Sequence, residues 1–305
     1  MSLFRNSVLL LLSALTLIPA FASSEKALNK RPVLFVVYTD QKFSEESAPP
    51  RPMTIIDPIA FVASGKFEPP PLEDSTIDQK LRDQRVAEFE KLYFAAGSQY
   101  PLFSSGEKRG SLRIGKPVGV SCESQSASAS LPAGFSLGES QFALATSSTS
   151  VHPHAGHQRQ PSAEESKEIL EFVRGIFHAE GVAMSELKAA KTEGIVLTDL
   201  YGDGKLDVVA VFSLRGRKRD HRLFTVLSSA DDGYRVDLKL HTSSDDLEDL
   251  KDLSVPEFIG QLDLDGDGVD EVILRNSYYE SWDYSIYSKK LGVWKKLYQG
   301  GGGGC

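Results

Sequence analysis

Asp263-Leu264-Asp265-Gly266-Asp267-Gly268-Val269-Asp270-Glu271, followed by Val272-Ile273-Leu274, is the stretch whose reading decides the fold. Carboxylates at positions one, three and five and an acid at nine make an oxygen cage suited to calcium. The Val269 carbonyl stands at position seven and a glycine at six, where the chain must turn sharply; magnesium would keep more water. Position twelve is Leu274, so the bidentate glutamate of an EF-hand is missing, and the flanks are β-branched rather than helical. A second, weaker copy begins 64 residues earlier, from Asp199 against Asp263. It keeps Asp199, Asp203 and Asp207, has Lys205 at position seven and puts Tyr201 at position three. Its three aspartates are expected to hydrogen-bond the loop's own amides, leaving calcium weakly held there or not at all.

Working outward, Ile195 to Leu197 lead into the first loop and Val208 to Phe212 leave it, so each loop joins two strands. After each loop come another polar connection, a strand (Leu223 to Leu227; Tyr284 to Tyr287), a glycine turn, and a last strand led by Tyr234 or Trp294. Residues 194 to 298 thus resemble the FG-GAP, or VCBS-like, repeat of integrin-type β-propellers, whose blades carry a D-x-D-x-D-G-x-x-D/E calcium loop between strands. The resemblance implies two antiparallel blade-like units, with calcium on Asp263, Asp265, Asp267, Val269 and Glu271. Closed propellers have roughly four to eight blades, so two units must pack on something else.

Residues 1–22 read as a signal peptide: Arg5, an apolar core from Val8 to Ile18, and an A-x-A cleavage pattern at Ala20 to Ala22. No later stretch is long and apolar enough for a membrane-spanning helix, and the expected location is secreted or periplasmic. In an oxidising compartment a Cys122–Cys305 disulfide is the economical reading, with a terminal thiol seeking a partner chain as the alternative. Gly300 to Gly304 then read as a flexible leash.

The composition, 41% hydrophobic and 25% charged, suits two ordinary globular domains. A net charge of -8 and a pI near 5.4 argue against a general nucleic-acid binder, and the local basic cluster Arg215, Arg217, Lys218, Arg219 and Arg222 reads as a solvated connection. The fold class expected is mainly β with a few helices. Residues 23–145 form a small β-rich domain, a barrel or sandwich with one helix from about Ile77 to Ala95, and 146–161 form a linker. Residues 162–305 hold the two repeat units, a Gly-rich tail and a packed helix opened by the capping box Ser162 and Glu165.

Other constellations are weaker. His152, His154 and His157 in the linker could bind a transition metal, though no acid or cysteine completes a cage. Gly134-Phe135-Ser136-Leu137-Gly138 matches G-x-S-x-G, but no helix-like pattern follows it. Tyr278 to Tyr284 crowds aromatics and acids that could stack a sugar or simply cover a sheet. The function expected is an exported calcium-binding β-repeat protein acting as a binding or structural module for a protein or carbohydrate ligand. A secreted hydrolase with structural calcium, drawing on the histidines or on Glu280 and Asp283, is the alternative.

Overall fold

The run from Val33 to Val37 is apolar at every position because both of its faces are covered. In the computed structural model, Val33, Phe35 and Val37 point into one core while Leu34 and Val36 point into another. The structure describes residues 30–43, 51–63, 65–70, 78–119, 125–138, 141–149, 151, 158–230, 233–244 and 254–304. The expected signal peptide, Cys122, Cys305, His152, His154 and His157 lie outside the described residues.

The first part comprises β1 (Val33–Phe43), β2 (Arg51–Ala63), β3 (Lys66–Glu68), helix α1 (Gln79–Tyr93), β4 (Gln99–Ser104), β5 (Glu107–Gly119), β6 (Gln125–Ser130) and β7 (Phe142–Thr146). The pairing runs β1-β7-β4-β5-β6-β2, and β2 returns to β1, closing a six-stranded antiparallel barrel with β3 as a hairpin extension. The barrel alternative of the sequence reading is therefore the one adopted. Asp78 caps α1 by accepting from the amides of Lys80 (2.6 Å) and Leu81 (3.4 Å). The helix delivers Phe89 and Tyr93 to the barrel core, against Phe35, Phe61 and Tyr100. Pro52 and Pro58 sit inside β2 rather than in a connection; Pro58 is tolerated because the register shifts by one residue beside it, at Ile59.

Beyond the barrel, α2 (Ala163–Ala179) precedes β8 (Ala190–Thr198), β9 (Asp207–Arg215), β10 (Asp220–Ala230) and β11 (Gly233–Ser244), and then β12 (Val255–Leu262), β13 (Glu271–Ser277), β14 (Ser281–Lys290) and β15 (Val293–Gly304). Each set of four is an antiparallel meander, in the orders β11-β10-β9-β8 and β12-β13-β14-β15. The molecule is mainly β, with two α-helices among the described residues.

The pair of sheets closes no ring; they stack as layers of one assembly. The β12–β15 sheet lays Ile259, Leu262, Ile273, Tyr284, Ile286 and Tyr298 on the barrel wall, against Leu34, Val36, Ile59 and Val62. Its other face packs Val272, Leu274, Tyr287 and Trp294 on Val196, Val209, Val211 and Phe224 of the β8–β11 sheet. The far face of that sheet is covered by Ile169, Val173, Ile176 and Phe177 of α2. Each such side chain, fully buried, contributes about 1.5–3 kcal/mol before entropy is charged. The capping box is formed, with Glu165 N donating to Ser162 Oγ (3.2 Å) and Ser162 N to Glu165 Oε2 (2.7 Å).

Three expectations need correction. The two four-stranded meanders are not blade-like units: they are extra sheets, one packed on the closed six-stranded barrel and the other on that first sheet. The segment 146–161 is not a bare linker, because Thr146 ends β7 and Arg159 exchanges two backbone hydrogen bonds with Leu197, both 2.9 Å. The glycine tail is not a leash: Gly300 to Gly304 complete β15, pairing with Ser281 to Tyr284. A Cβ on Gly301 would stand 2.6 Å from the Ile59 carbonyl oxygen, and one on Gly302 2.2 Å from that of Trp282. The absence of side chains lets this backbone seat against its neighbours.

Candidate metal centre in the second acidic loop

Both acidic loops occupy the first connection of their meander, residues 199–206 between β8 and β9 and 263–270 between β12 and β13. Their backbones turn alike. Gly202 and Gly204 have φ of 64° and 79°, and Gly266 and Gly268 have 80° and 87°, so positions four and six of each loop lie in the left-handed region that favours glycine. The first aspartate gathers amides in both: Asp199 accepts from Tyr201 (3.1 Å), Asp203 (3.2 Å) and Gly204 (2.8 Å), and Asp263 from Gly266 (2.7 Å) and Gly268 (3.2 Å). Position five bonds position seven, Asp203 to the Lys205 amide (2.9 Å) and Asp267 to the Val269 amide (3.0 Å). Position nine reaches back to position two: Asp207 accepts from the Leu200 amide at 3.2 Å, and Glu271 from the Leu264 amide at 2.8 Å.

The loops differ in where their acids point. Asp263, Asp265 and Asp267 each offer an oxygen, all within 4.8 Å of one another; this is the one such group of three among the described residues. Glu271, at the ninth position of the same loop, is fully buried, and its Oε1 makes no hydrogen bond. Burial pushes its carboxyl up to about 7, opposed first by the Ser288 hydroxyl and then by the Leu264 amide, with the Asp265 charge adding to the rise. An all-oxygen, acid-rich donor set with a buried oxygen left unpaired fits a hard divalent cation. One cationic side chain already touches the cluster: Lys290 Nζ bonds Asp265 Oδ2 and lies 2.8 Å from Asp267 Oδ2. Partial burial works against its charge, but the two carboxylates hold the amine well above the usual lysine range.

In the first loop Asp199, Asp203, Lys205 and Asp207 do not converge in this way. Tyr201 leaves the loop for the seam between the sheets, where its hydroxyl donates to Asp237 and accepts from Lys289 Nζ (3.0 Å) and Trp294 Nε1 (3.3 Å). Asp237 also accepts from Lys289 Nζ (2.9 Å), Ser228 Oγ (2.8 Å) and Arg235 Nε (2.9 Å). Burial alone would raise the Asp237 carboxyl, yet these donors hold it well below the carboxylate range. Asp207 is pushed up to about 6, chiefly by burial.

No family model, curated protein or solved structure matches the chain.

Sequence reasoning missed Lys289 and Lys290, the two β14 cations whose ammonium groups bond Tyr201 of the first loop and Asp265 and Asp267 of the second. The available signal was their adjacency in a strand, since alternation sends neighbouring side chains to opposite faces. It also missed Gln261, whose amide bridges the Asp199 carbonyl (3.2 Å) and Asp270 Oδ2 (2.9 Å).

The other constellations resolve as structure. Ser136 lies on an irregular segment of an antiparallel barrel, so the strand-turn-helix that exposes a nucleophile is missing. Asp283 is held by Asn276 Nδ2 (2.6 Å), Gln299 Nε2 (2.8 Å) and Tyr278 Oη (3.2 Å), Tyr284 is buried, and Trp282 lies under the Arg275 guanidinium at 5.4 Å. In the basic cluster Arg217 donates its amide to Glu186 (2.9 Å) and Arg222 approaches Glu193 (3.8 Å), on or beside the β9–β10 connection.

Proposed function

We propose that this protein is an exported calcium-binding module of the FG-GAP or VCBS-like repeat type, serving as a scaffold or as a binding surface for a protein or carbohydrate ligand. In this reading the two meanders share the acidic loop of such repeats without forming blades: they are extra sheets whose outer faces are covered by the barrel and by α2. Asp263, Asp265, Asp267 and Glu271, with the Val269 carbonyl, hold calcium, while Asp199, Asp203, Lys205 and Asp207 belong to a loop that has exchanged its ion for an internal hydrogen-bond network. The observation that carries the reading is the convergence of three carboxylates in a loop whose buried Glu271 retains an unpaired oxygen.

Bound calcium would neutralise these charges and pin the loop, stabilising the folded state by mass action. The chain's own residues supply the ligand set and, through the Leu264 amide and the two glycines, its shape. Thermal melts with calcium, with magnesium and with chelator, on the wild type and on Asp263→Asn, test this. One site at a hundredfold excess over Kd stabilises by about 2.7 kcal/mol, so calcium should raise the wild-type Tm by several degrees and leave the variant unmoved. An unchanged wild-type Tm sinks the reading.

A further inference from the structure

β14 carries two lysines side by side, and each reaches a different acidic loop. Lys289 Nζ sits in the seam between the sheets, bonded to Tyr201 and Asp237 and 4.1 Å from the centre of the Tyr201 ring. Its side chain is 17% exposed. Lys290 faces the other way, spans Asp265 and Asp267 at the rim of the second loop, and is 33% exposed. The turn that follows, Leu291 and Gly292, is solvent-exposed and separates β14 from β15. One ammonium is thus built into the structure, and the other rests at an open edge.

We infer that Lys290 is a tethered counter-cation that holds the second loop ready without metal and must leave when the metal enters. This rests on the metal reading above and adds a regulating residue to it. The physical case is competition for the same oxygens. Asp265 Oδ1 already accepts from the Asp267 amide (3.3 Å) and Asp267 Oδ1 from the Val269 amide (3.0 Å), so the Oδ2 atoms that Lys290 touches are the ones left for a hard cation, which takes six to eight oxygens in typical calcium sites. Without any cation, the three converging carboxylates would repel one another. Lys290 relieves that repulsion in the metal-free chain, so the loop needs no refolding to accept an ion. The cost is affinity, because the ion must first break two ion pairs. Such half-exposed pairs are worth little each, so the handicap amounts to about three- to tenfold in Kd. Lys289 is no such gate: its partners are Tyr201 and Asp237, and the first loop gathers no cluster for an ion to claim.

The test is calcium titration calorimetry on the wild type, Lys290→Met and Lys290→Arg, together with amine labelling of the wild type read by mass spectrometry with and without calcium. Lys290→Met should bind calcium about three- to tenfold more tightly while melting lower in chelator, and Lys290→Arg should stay near the wild-type Kd. Calcium should raise labelling of Lys290 severalfold and leave Lys289 unchanged. If the wild type and Lys290→Met bind with the same Kd, or if labelling of Lys290 ignores calcium, the counter-cation role is overturned and the cage stands. If no form binds calcium, the cage reading falls and takes this inference with it.

Discussion

The amide of Asp270 donates to the carbonyl of Leu200 at 2.9 Å, so the last turn of one acidic loop is hydrogen-bonded to the start of the other. Through this bond and the Gln261 bridge, a rearrangement at the second loop, whose carboxylates converge, has a direct path to the first, whose carboxylates do not.

That asymmetry is expected in stoichiometry. Calorimetric titration should give one calcium per chain, and Asp265→Asn should remove it. Two sites of equal affinity would mean that Tyr201 does not block the first loop.

Tyr201→Phe removes one hydroxyl that donates to Asp237 and accepts from Lys289 and Trp294. Leaving these partners short in a half-buried seam should cost about 1–3 kcal/mol, measured by urea unfolding. A change below about 0.5 kcal/mol would show the seam to be wet and the network dispensable.

Asp57 lies in the barrel wall and accepts from the Tyr38 hydroxyl at 2.9 Å. Burial raises its carboxyl from 3.8 to about 6. The folded state therefore keeps a proton that the unfolded chain has already released, and stability falls as pH rises from about 4 through about 6. At about 1.4 kcal/mol per pH unit the loss is on the order of 3 kcal/mol. Asp57→Asn should flatten this limb and melt higher than the wild type at pH 8; an unchanged pH profile would refute the assignment.

His221 and His241 stack with ring centroids 5.3 Å apart, Nδ1 to Nε2 at 3.1 Å, beside Glu180 at the end of α2. Desolvation lowers both, with His241 and Arg219 adding to the effect at His221 and Lys239 adding to it at His241, against the raising charge of Glu180 there. The unfolded chain takes up protons first, so this contribution is present at neutral pH and fades as pH drops below about 6.5. His241→Gln should weaken the acid-side decline in Tm. If the decline persists unaltered, the carboxylates alone cause it.

Gly302→Ala should destabilise by on the order of 2–4 kcal/mol, because a Cβ would stand 2.2 Å from the Trp282 carbonyl oxygen at φ 115°. Gly268→Ala, with open space around it at φ 87°, should cost only about 1 kcal/mol. Equal melting temperatures for the two variants would show that the glycine strand is not seated as described.

What could be read from the chain was what is encoded locally. The acidic loops declare themselves by carboxylate spacing and paired glycines, and α2 by Ser162, Glu165 and an apolar stripe. Barrel closure was not legible as such: β4 and β6 are short, β6 is rich in serine, and their pairing depends on partners far along the chain. Gly300 to Gly304 read as flexible because glycine has no strand preference of its own; tertiary contact with Ile59 and Trp282 overrides that. Lys289 and Lys290 drew no reading from the sequence, since nothing local reveals which loops lie within their reach.

Tyr298 donates its hydroxyl to the carbonyl of Ile59 at 2.8 Å, across 239 positions of sequence. The barrel can close early, yet the apolar wall of Leu34, Val36, Ile59 and Val62 has no cover until β12–β15 have been made. Until that sheet docks, the wall is exposed to solvent and to other unfolded chains. Docking of β12–β15 on the barrel, which joins segments this far apart in sequence, is therefore expected to be slow, and it defines the interval in which a chaperone would matter.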